Sequence, residues 1–497
     1  MRPAVLACSR VALLAGPTAL AFFSGGYFET TRPAVPRLIA GIVAWLLVAV
    51  AALTLPRPLP GSRAGRLAVA GLAGLAAWSA ISLAWAPLAG PAFRDVQRLV
   101  LYLGALIAAA ALLRDRRAAR AVEPALAAGT LIVVGYGISD RLLPGIIQLH
   151  HTTTSLGRLD LPLTYWNAMG ALAAIGFVLC ARLAGDPTRA DAVRIAAMAA
   201  AAPLGLGTWL SLSRGALAAL GAGLVVLLAV APAWPQLRTI GLSLLAGAVA
   251  TLVGSQLRGV ESLTGSLSTR EAQGVAMLAV LVVVIAAAAA LQARACRLER
   301  AGRRRTGALS LPRRFPLIAI GLVVALMAGT LLVGAAREHP SAARTGHTAS
   351  RLASVQTNRY EYWRVALRAF ANHPLEGIGS SGFGVAWLRE RTIRDAARDA
   401  HSLYLETAAE LGLIGLAALA AAFAGVVLCA REALHRDPSL AAGAVAAGTT
   451  WALHTGIDWD WEMPAVSLLA LVLAGLLIAA AEARSRPGPP APAAPPG

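Results

Sequence analysis

Lysine is missing from this 497-residue sequence, so each of its 44 basic side chains is an arginine. Alanine, glycine and proline are abundant alongside, which reads as coding bias, so arginine in place of lysine carries little functional information here. Charge is scarce: Asp, Glu, Lys and Arg make up 14% against 57% hydrophobic residues, which excludes a water-soluble globule with a polar shell. Cysteine is nearly absent. Cys8, Cys180, Cys296 and Cys429 stand alone, without C-x-x-C or Cys/His spacing, and indicate neither a disulfide framework nor a zinc site. No ten-residue alternating pattern occurs, which argues against a membrane β-barrel.

What is present is a succession of apolar runs, each close to the roughly 20 residues that cross about 30 Å of hydrocarbon as helix. The fold class is therefore all-α, a polytopic membrane protein of about 12–14 spans. Fourteen are drawn, among them 11–28, 36–55, 65–86, 96–113, 163–184, 192–210, 215–231, 315–336, 404–430, 440–457 and 463–483. The run 11–28 has a basic start but no small-residue cleavage site before the next span, and reads as a retained helix. The net charge of +19 does not indicate nucleic acid, because the arginines sit in short loops between apolar runs, where topology accounts for them. The most basic loop, 294–314, is expected inside, and alternate loops with Arg57, Arg114, Arg116, Arg117, Arg431 and Arg436 agree. Both termini are then inside and the insert 337–400 outside. Four regions follow: N-terminal spans 1–200; a core 201–430 that includes the outer loop 337–402; C-terminal spans 431–483; and a Pro-rich, disordered tail 484–497.

Polar residues gather on the expected outer face. S-L-S-R-G puts Arg214 at the start of a span, with Ser211 or Ser213 able to cap the helix, and an arginine beside a helix N-terminus suits a phosphate. An arginine snorkelling to the interface explains it equally. Tyr360, Trp363, Leu367 and Phe370 recur at helical spacing after Arg359, as in an amphipathic helix lying on the membrane, ended by His373-Pro374. Gly377, Gly379, Gly382 and Gly384 contain G-x-G-x-x-G, but no strand precedes them, so a tight turn near the membrane is expected rather than a dinucleotide site. His401 precedes the next span, with Glu406 and Glu410 after it, and is open to a capping or a catalytic reading. His150 and His151 read as loop histidines without carboxylate partners at metal spacing. Tyr165, Trp166, Trp459 and Trp461 read as an interfacial belt. His454, Asp458, Asp460 and Glu462 could line an outer cavity, although a helix end also explains them.

Taken in order, S-L-S-R-G, then R-Y-E-Y-W-R-V-A-L-R-A-F-A-N-H-P-L-E-G-I-G-S-S-G-F, then H-S-L-Y-L-E-T-A-A-E-L-G-L-I-G resemble the O-antigen ligase and polymerase family of bacterial membrane glycosyltransferases, over roughly residues 205–425. The resemblance implies transfer of a glycan from undecaprenyl diphosphate to a glycan, lipid or protein acceptor hydroxyl at the outer face of the inner membrane. It implies diphosphate binding by Arg214 and Arg359 and catalysis by His401, with Trp363, Glu410, Gly377 and Gly379 in support. Ser402 stands where the family commonly has asparagine. No metal and no cofactor are expected, and the attack would invert the anomeric carbon. Membrane lipids are the remaining partners. Polymerisation, with a second carrier-linked repeat as acceptor, and transport of a lipid-linked oligosaccharide are the alternatives. The lack of charge deep in the spans weighs against transport.

Overall fold

The computed structural model describes residues 2–27, 34–310, 312, 321 and 358–483. Apart from Gly321, the expected span 315–336 lies outside the described residues. So do the insert's first part, 337–357, and the tail 484–497.

The described helices are α1 Arg2–Ala21, α2 Ala34–Thr54, α3 Arg63–Ile81, α4 Ala89–Leu112, α5 Arg116–Leu142, α6 Trp166–Gly185, α7 Asp191–Ala199, α8 Ala201–Leu210, α9 Arg214–Val230, α10 Trp234–Gly254, α11 Arg258–Glu261, α12 Leu267–Arg300, α13 Arg359–Asn372, α14 Phe383–Glu390, α15 Leu403–Arg436, α16 Pro438–His454 and α17 Pro464–Glu482. Among the described residues there is no strand, only one isolated bridge between Ala233 and Ala308. Eleven spans are long and apolar enough to cross a membrane, with α7 and α8 counted as one span, and α9 is a shorter apolar helix. The chain is thus an all-α, multi-pass membrane protein. The expected spans within the described residues fall on helices, except that the first is displaced: the helix runs Arg2–Ala21, and 22–27 of the expected 11–28 is a turn with a short 3-10 segment.

Burial sorts the helices into a centre and a rim. All of α6 except Trp166 is buried, as is nearly all of α17. In contrast, α2 and α12 bury little and expose Leu38, Ile42, Leu46, Val282 and Val283. Such apolar stripes suit lipid rather than water. Small residues let α3 and α15 approach closely, since a Cβ on Gly71 would lie 2.3 Å from the Ala422 nitrogen and one on Gly425 2.3 Å from that of Ala68.

The helices bring their ends together in two sets. At one end arginines close the loops: Arg114 reaches the Leu59 carbonyl (2.8 Å) and Glu482 (3.2 Å), Arg116 reaches Asp437 (3.0 Å), and Arg189 reaches buried Glu123 (2.7 Å). Arg194 and Arg238 share Glu299, at 2.7 and 2.6 Å. These are the loops whose charge marked them as inside. The opposite end collects residues 82–98, 140–166, 211–215, 358–402 and 454–462.

Candidate active site

Helix α13 is folded onto the protein by a face the aromatic spacing did not reveal. Tyr362, Val365, Ala366 and Ala369 are buried against Phe383 and Trp387 of α14, with Ile393, Ala400 and Ala409, forming a small core apart from the main one. Of the expected membrane stripe, Leu367 is exposed, and Tyr360, Trp363 and Phe370 are half-buried beside that face. Trp363 packs on the core's edge, with its ring 5.6 Å from Tyr360. Asp395 fixes the inner face by accepting from the Tyr362 hydroxyl (2.5 Å) and the Asn358 amide (2.7 Å).

His401 sits just above this core, in the turn before α15. Its φ of +54° is in the left-handed region, uncommon for a residue with a side chain and often found at functional positions. Ser402 caps α15, and the Leu403 amide donates to the Thr455 carbonyl at 2.9 Å, so neighbours on both sides hold the turn. The imidazole packs on Tyr362 (centroids 4.9 Å apart) and meets Trp459 edge-on (6.0 Å). Nδ1 lies 3.0 Å from the Asp399 carbonyl oxygen, which can only accept. The proton is therefore on Nδ1, and Nε2 of the neutral ring is the basic nitrogen. Burial lowers the pKa from the ordinary 6.5 to about 4, with Arg359 adding to the lowering and Asp458 opposing it.

Arg359, the first residue of α13, pairs with Asp458 at 2.5 Å. Asp458 also accepts from the Tyr165 hydroxyl (2.8 Å) and the Trp459 amide (2.9 Å), while Asn167 donates to the Tyr165 oxygen (2.7 Å). Burial opposes the charge on Asp458, yet Arg359, His401 and His454 hold its pKa below the ordinary carboxylate value. Arg214 begins α9, whose cap is Ser213, accepting from the Ala216 amide at 3.2 Å. The Ser213 hydroxyl lies 3.5 Å from Nε2 of His454, which pairs through Nδ1 with Asp460. A Cβ on Gly215 would meet Ile457 at 2.9 Å and His454 at 3.3 Å. The segment 454–460 thus touches the helix starts that carry both arginines, and its Trp459 borders His401.

Sequence reasoning undervalued that segment. His454, Asp458 and Asp460 are fully buried, and Glu462 nearly so. Tyr165, Trp459 and Trp461 are buried too, which corrects their reading as an interfacial belt: Tyr165 and Trp459 lie 4.3 Å apart at the site. The available signal was four ionisable residues in nine positions following an apolar span. His151 likewise has the carboxylate partners its sequence neighbourhood hid, Asp140 at 2.6 Å and Asp160 at 2.7 Å. Partial burial would lower its pKa, but the two carboxylates raise it to about 9. His150 is exposed.

Glu410, Gly377 and Gly379 form a clamp. The Glu410 carboxylate accepts from the amides of Ser381 (2.9 Å) and Phe383 (3.0 Å), and its carbonyl from the amide of Gly379 (2.9 Å). Gly377 has φ +74°, and a Cβ there would lie 2.3 Å from the Glu410 carbonyl. At Gly379, φ +89°, it would lie 2.6 Å from Ala86 Cα. Only glycine fits either place. The turn is tight as expected, but it presses on helix α15 and the end of the α3 region rather than on the membrane. On the other side of the contact, α15 breaks at Gly412 (φ +62°, ψ −160°), a conformation open essentially to glycine alone.

Beside this clamp lies a small cavity of about 30 Å³, lined by Ser79, Asp95, Arg98, Glu406, Glu410 and Glu462 together with leucines and Trp461. Oxygens of Asp399, Glu406 and Glu462 all lie within 4.8 Å of one another, a spacing that could hold an ion. Arg98 enters the same cluster, pairing with Glu462 and with Asp95 (3.0 Å), and Tyr27 donates to Asp399 at 2.6 Å. Burial pushes the Asp399 carboxyl up to about 6 and raises that of Glu462. Its residues come from distant positions, so no sequence spacing announced it. A second hollow, an apolar groove of about 480 Å³, starts at Tyr404, Gly456 and Ile457 beside the site and runs between helices toward Ala430 and Leu477.

Fold and site together define a multi-pass membrane protein with a histidine and two arginine-bearing helix starts gathered at one end of the bundle. The sequence model of one family, O-antigen ligase, matches residues 196–420, so this part of the chain is similar to that family. That match supports an O-antigen ligase/polymerase-type membrane glycosyltransferase. The match contains Arg214, Arg359, Trp363, Gly377, Gly379, His401 and Glu410, and stops short of the 454–462 segment. No curated protein matches the sequence.

Proposed function

We propose that the protein transfers a glycan from undecaprenyl diphosphate to an acceptor hydroxyl at the outer face of the bacterial inner membrane, with inversion and without a metal. The observation that carries this reading is the environment of His401: a neutral imidazole with its free nitrogen on Nε2, beside Arg359 and the segment that also abuts the start of the Arg214 helix. Nε2 takes the proton of the acceptor hydroxyl as its oxygen attacks the anomeric carbon. The bond to the diphosphate breaks on the opposite face, the electron pair leaves with the diphosphate, and the two guanidinium groups neutralise it. Asp458 orients Arg359 for this by fixing one edge of its five-donor fork. The apolar groove from Ile457 to Leu477 suits the isoprenoid tail of the donor. The catalytic core is then 201–430, completed by 454–462 from the C-terminal spans.

The test is a transfer assay on purified protein in lipid nanodiscs, with a carrier-linked glycan, candidate acceptors, and EDTA in a parallel series. Transfer with an inverted linkage that survives EDTA is expected. No product with any hydroxyl acceptor would sink the transferase reading. Loss in EDTA with rescue by a divalent ion would give the leaving-group role to a metal held at Asp399, Glu406 and Glu462.

A further inference from the structure

A second lipid-facing hollow lies away from the first. Between α2 and α4 runs a groove of about 440 Å³ lined by Arg37, Leu38, Gly41, Ile42, Trp45, Leu46, Gln97, Val100 and Leu101. Its wall is apolar, with Leu38, Ile42 and Leu46 more than half exposed, so it opens toward hydrocarbon. Gly41 forms part of the floor, where a Cβ would have only Leu101 within 4 Å, at 3.9 Å. Arg37 closes the polar end, in the first turn of α2.

Arg37 is the unusual member. It is only 7% exposed, yet among the described residues no hydrogen bond or ion pair reaches it. Burying a cation without a partner is unfavourable, so such a residue beside a lipid-facing groove suits an anion. Among the described residues the carboxylate whose charge acts on it most is Asp95, which is already engaged by Arg98 (3.0 Å), Ser380 (3.0 Å) and Ser381 (2.5 Å). Arg98 and Arg94 add further positive charge nearby. The hollow therefore combines a guanidinium without a direct hydrogen-bond or ion-pair partner among the described residues with an apolar trough beside it.

We infer that the α2–α4 groove is a second lipid site, in which Arg37 holds the phosphate of an anionic lipid and the trough from Leu38 to Leu101 holds its hydrocarbon chain. The ligand chemistry is a phosphate ester on a long apolar chain, and both a glycerophospholipid and a polyprenyl phosphate have it. The site is independent of the donor reading, because it shares no residue with His401, Arg359 or the 480 Å³ groove.

Native mass spectrometry of the delipidated full-length protein in detergent tests it, with added phosphatidylglycerol, undecaprenyl phosphate, phosphatidylcholine or inorganic phosphate. The wild type should bind one of the two anionic lipids more tightly than phosphatidylcholine, and the tighter of them names the source. Arg37→Gln should weaken that binding about fivefold or more. Gly41→Leu, which fills the trough and leaves the arginine, should weaken it too, in protein that remains monodisperse. Unchanged binding in both variants would overturn the site. So would phosphatidylcholine binding equal to that of the anionic lipids, or inorganic phosphate binding as tightly as they do, since the chain would then contribute nothing.

Discussion

The two ends of the bundle use buried charge differently. At the arginine-rich end each carboxylate is matched to guanidinium groups that tie neighbouring loops, as Glu123 is to Arg189 and Glu299 to Arg194 and Arg238. At the other end Asp95, Asp399, Glu406, Glu410 and Glu462 crowd around Arg98, while Asp458 and Asp460 share His454, Arg359 and Tyr165. The first arrangement joins opposite charges across neighbouring loops and staples a fold. In the second, charges are shared and pKa values shifted, as they are where a protein does chemistry.

The sharpest contrast is accessibility. In a cysteine-free background, Arg394→Cys at the polar end should react with an impermeant thiol reagent on intact spheroplasts and Gly307→Cys should not; the reverse pattern would invert the topology. On rate, His401→Ala should lose about a hundredfold to ten-thousandfold in single-turnover transfer while keeping affinity for the carrier-linked donor. Near-normal turnover in that variant would reduce the histidine to a cap.

Arg214→Lys and Arg359→Lys should each slow transfer by about tenfold to a hundredfold, because an ammonium cannot make the planar bidentate contact of a guanidinium. Wild-type rates in either would remove it from diphosphate binding. At the stapled end, Glu123→Gln should lower the thermal midpoint by removing the closer of buried Arg189's two carboxylate partners, the other being Asp186 at 3.6 Å, a loss of up to about 3 kcal/mol, yet leave the turnover of folded protein unchanged. A slowed turnover there would erase the division between the ends.

The smallest effect is with pH. Because the folded pKa of His401 lies near 4 rather than 6.5, the base stays neutral down to pH 5.5, and transfer should hold within about twofold between pH 7 and 5.5. An unperturbed histidine would cost roughly eightfold over that interval. The same depression makes the fold lose stability as pH falls from about 6.5 toward 4, since the unfolded chain takes a proton that the folded one refuses. A rate profile breaking near 6.5 would remove the desolvation argument.

Hydropathy and loop arginines were enough to draw the spans, because a membrane helix must satisfy its backbone within itself and leaves a continuous apolar record. A serine cap for the Arg214 helix was legible for a similar reason, being a local motif, although the sequence left it open between Ser211 and Ser213 and the structure selects Ser213. What stayed hidden depends on distance along the chain. Tyr165, Arg359 and Asp458 meet across nearly three hundred positions, so the segment 454–462 looked like an ordinary helix end. The aromatic spacing of 360–370 misled because Tyr362, one position off that stripe, points to the core. The lowered pKa of His401 follows from Tyr362 and Trp459 enclosing its ring, which no spacing encodes.

The break at Gly412 has a consequence for height. A 34-residue helix is about 51 Å long, far more than the roughly 30 Å of hydrocarbon it must cross. Residues 413–436 account for about 36 Å and suffice to span; residues 403–411 form a separate strut of about 13 Å. That strut takes its bearing from the 374–379 turn that grips its base, not from the membrane helix below. The altitude of His401 over the lipid is therefore set by backbone contacts between two glycine-bearing bends, like the length of a bracket. A floppy, hydrated sugar chain would be met at a fixed level however the long helices tilt.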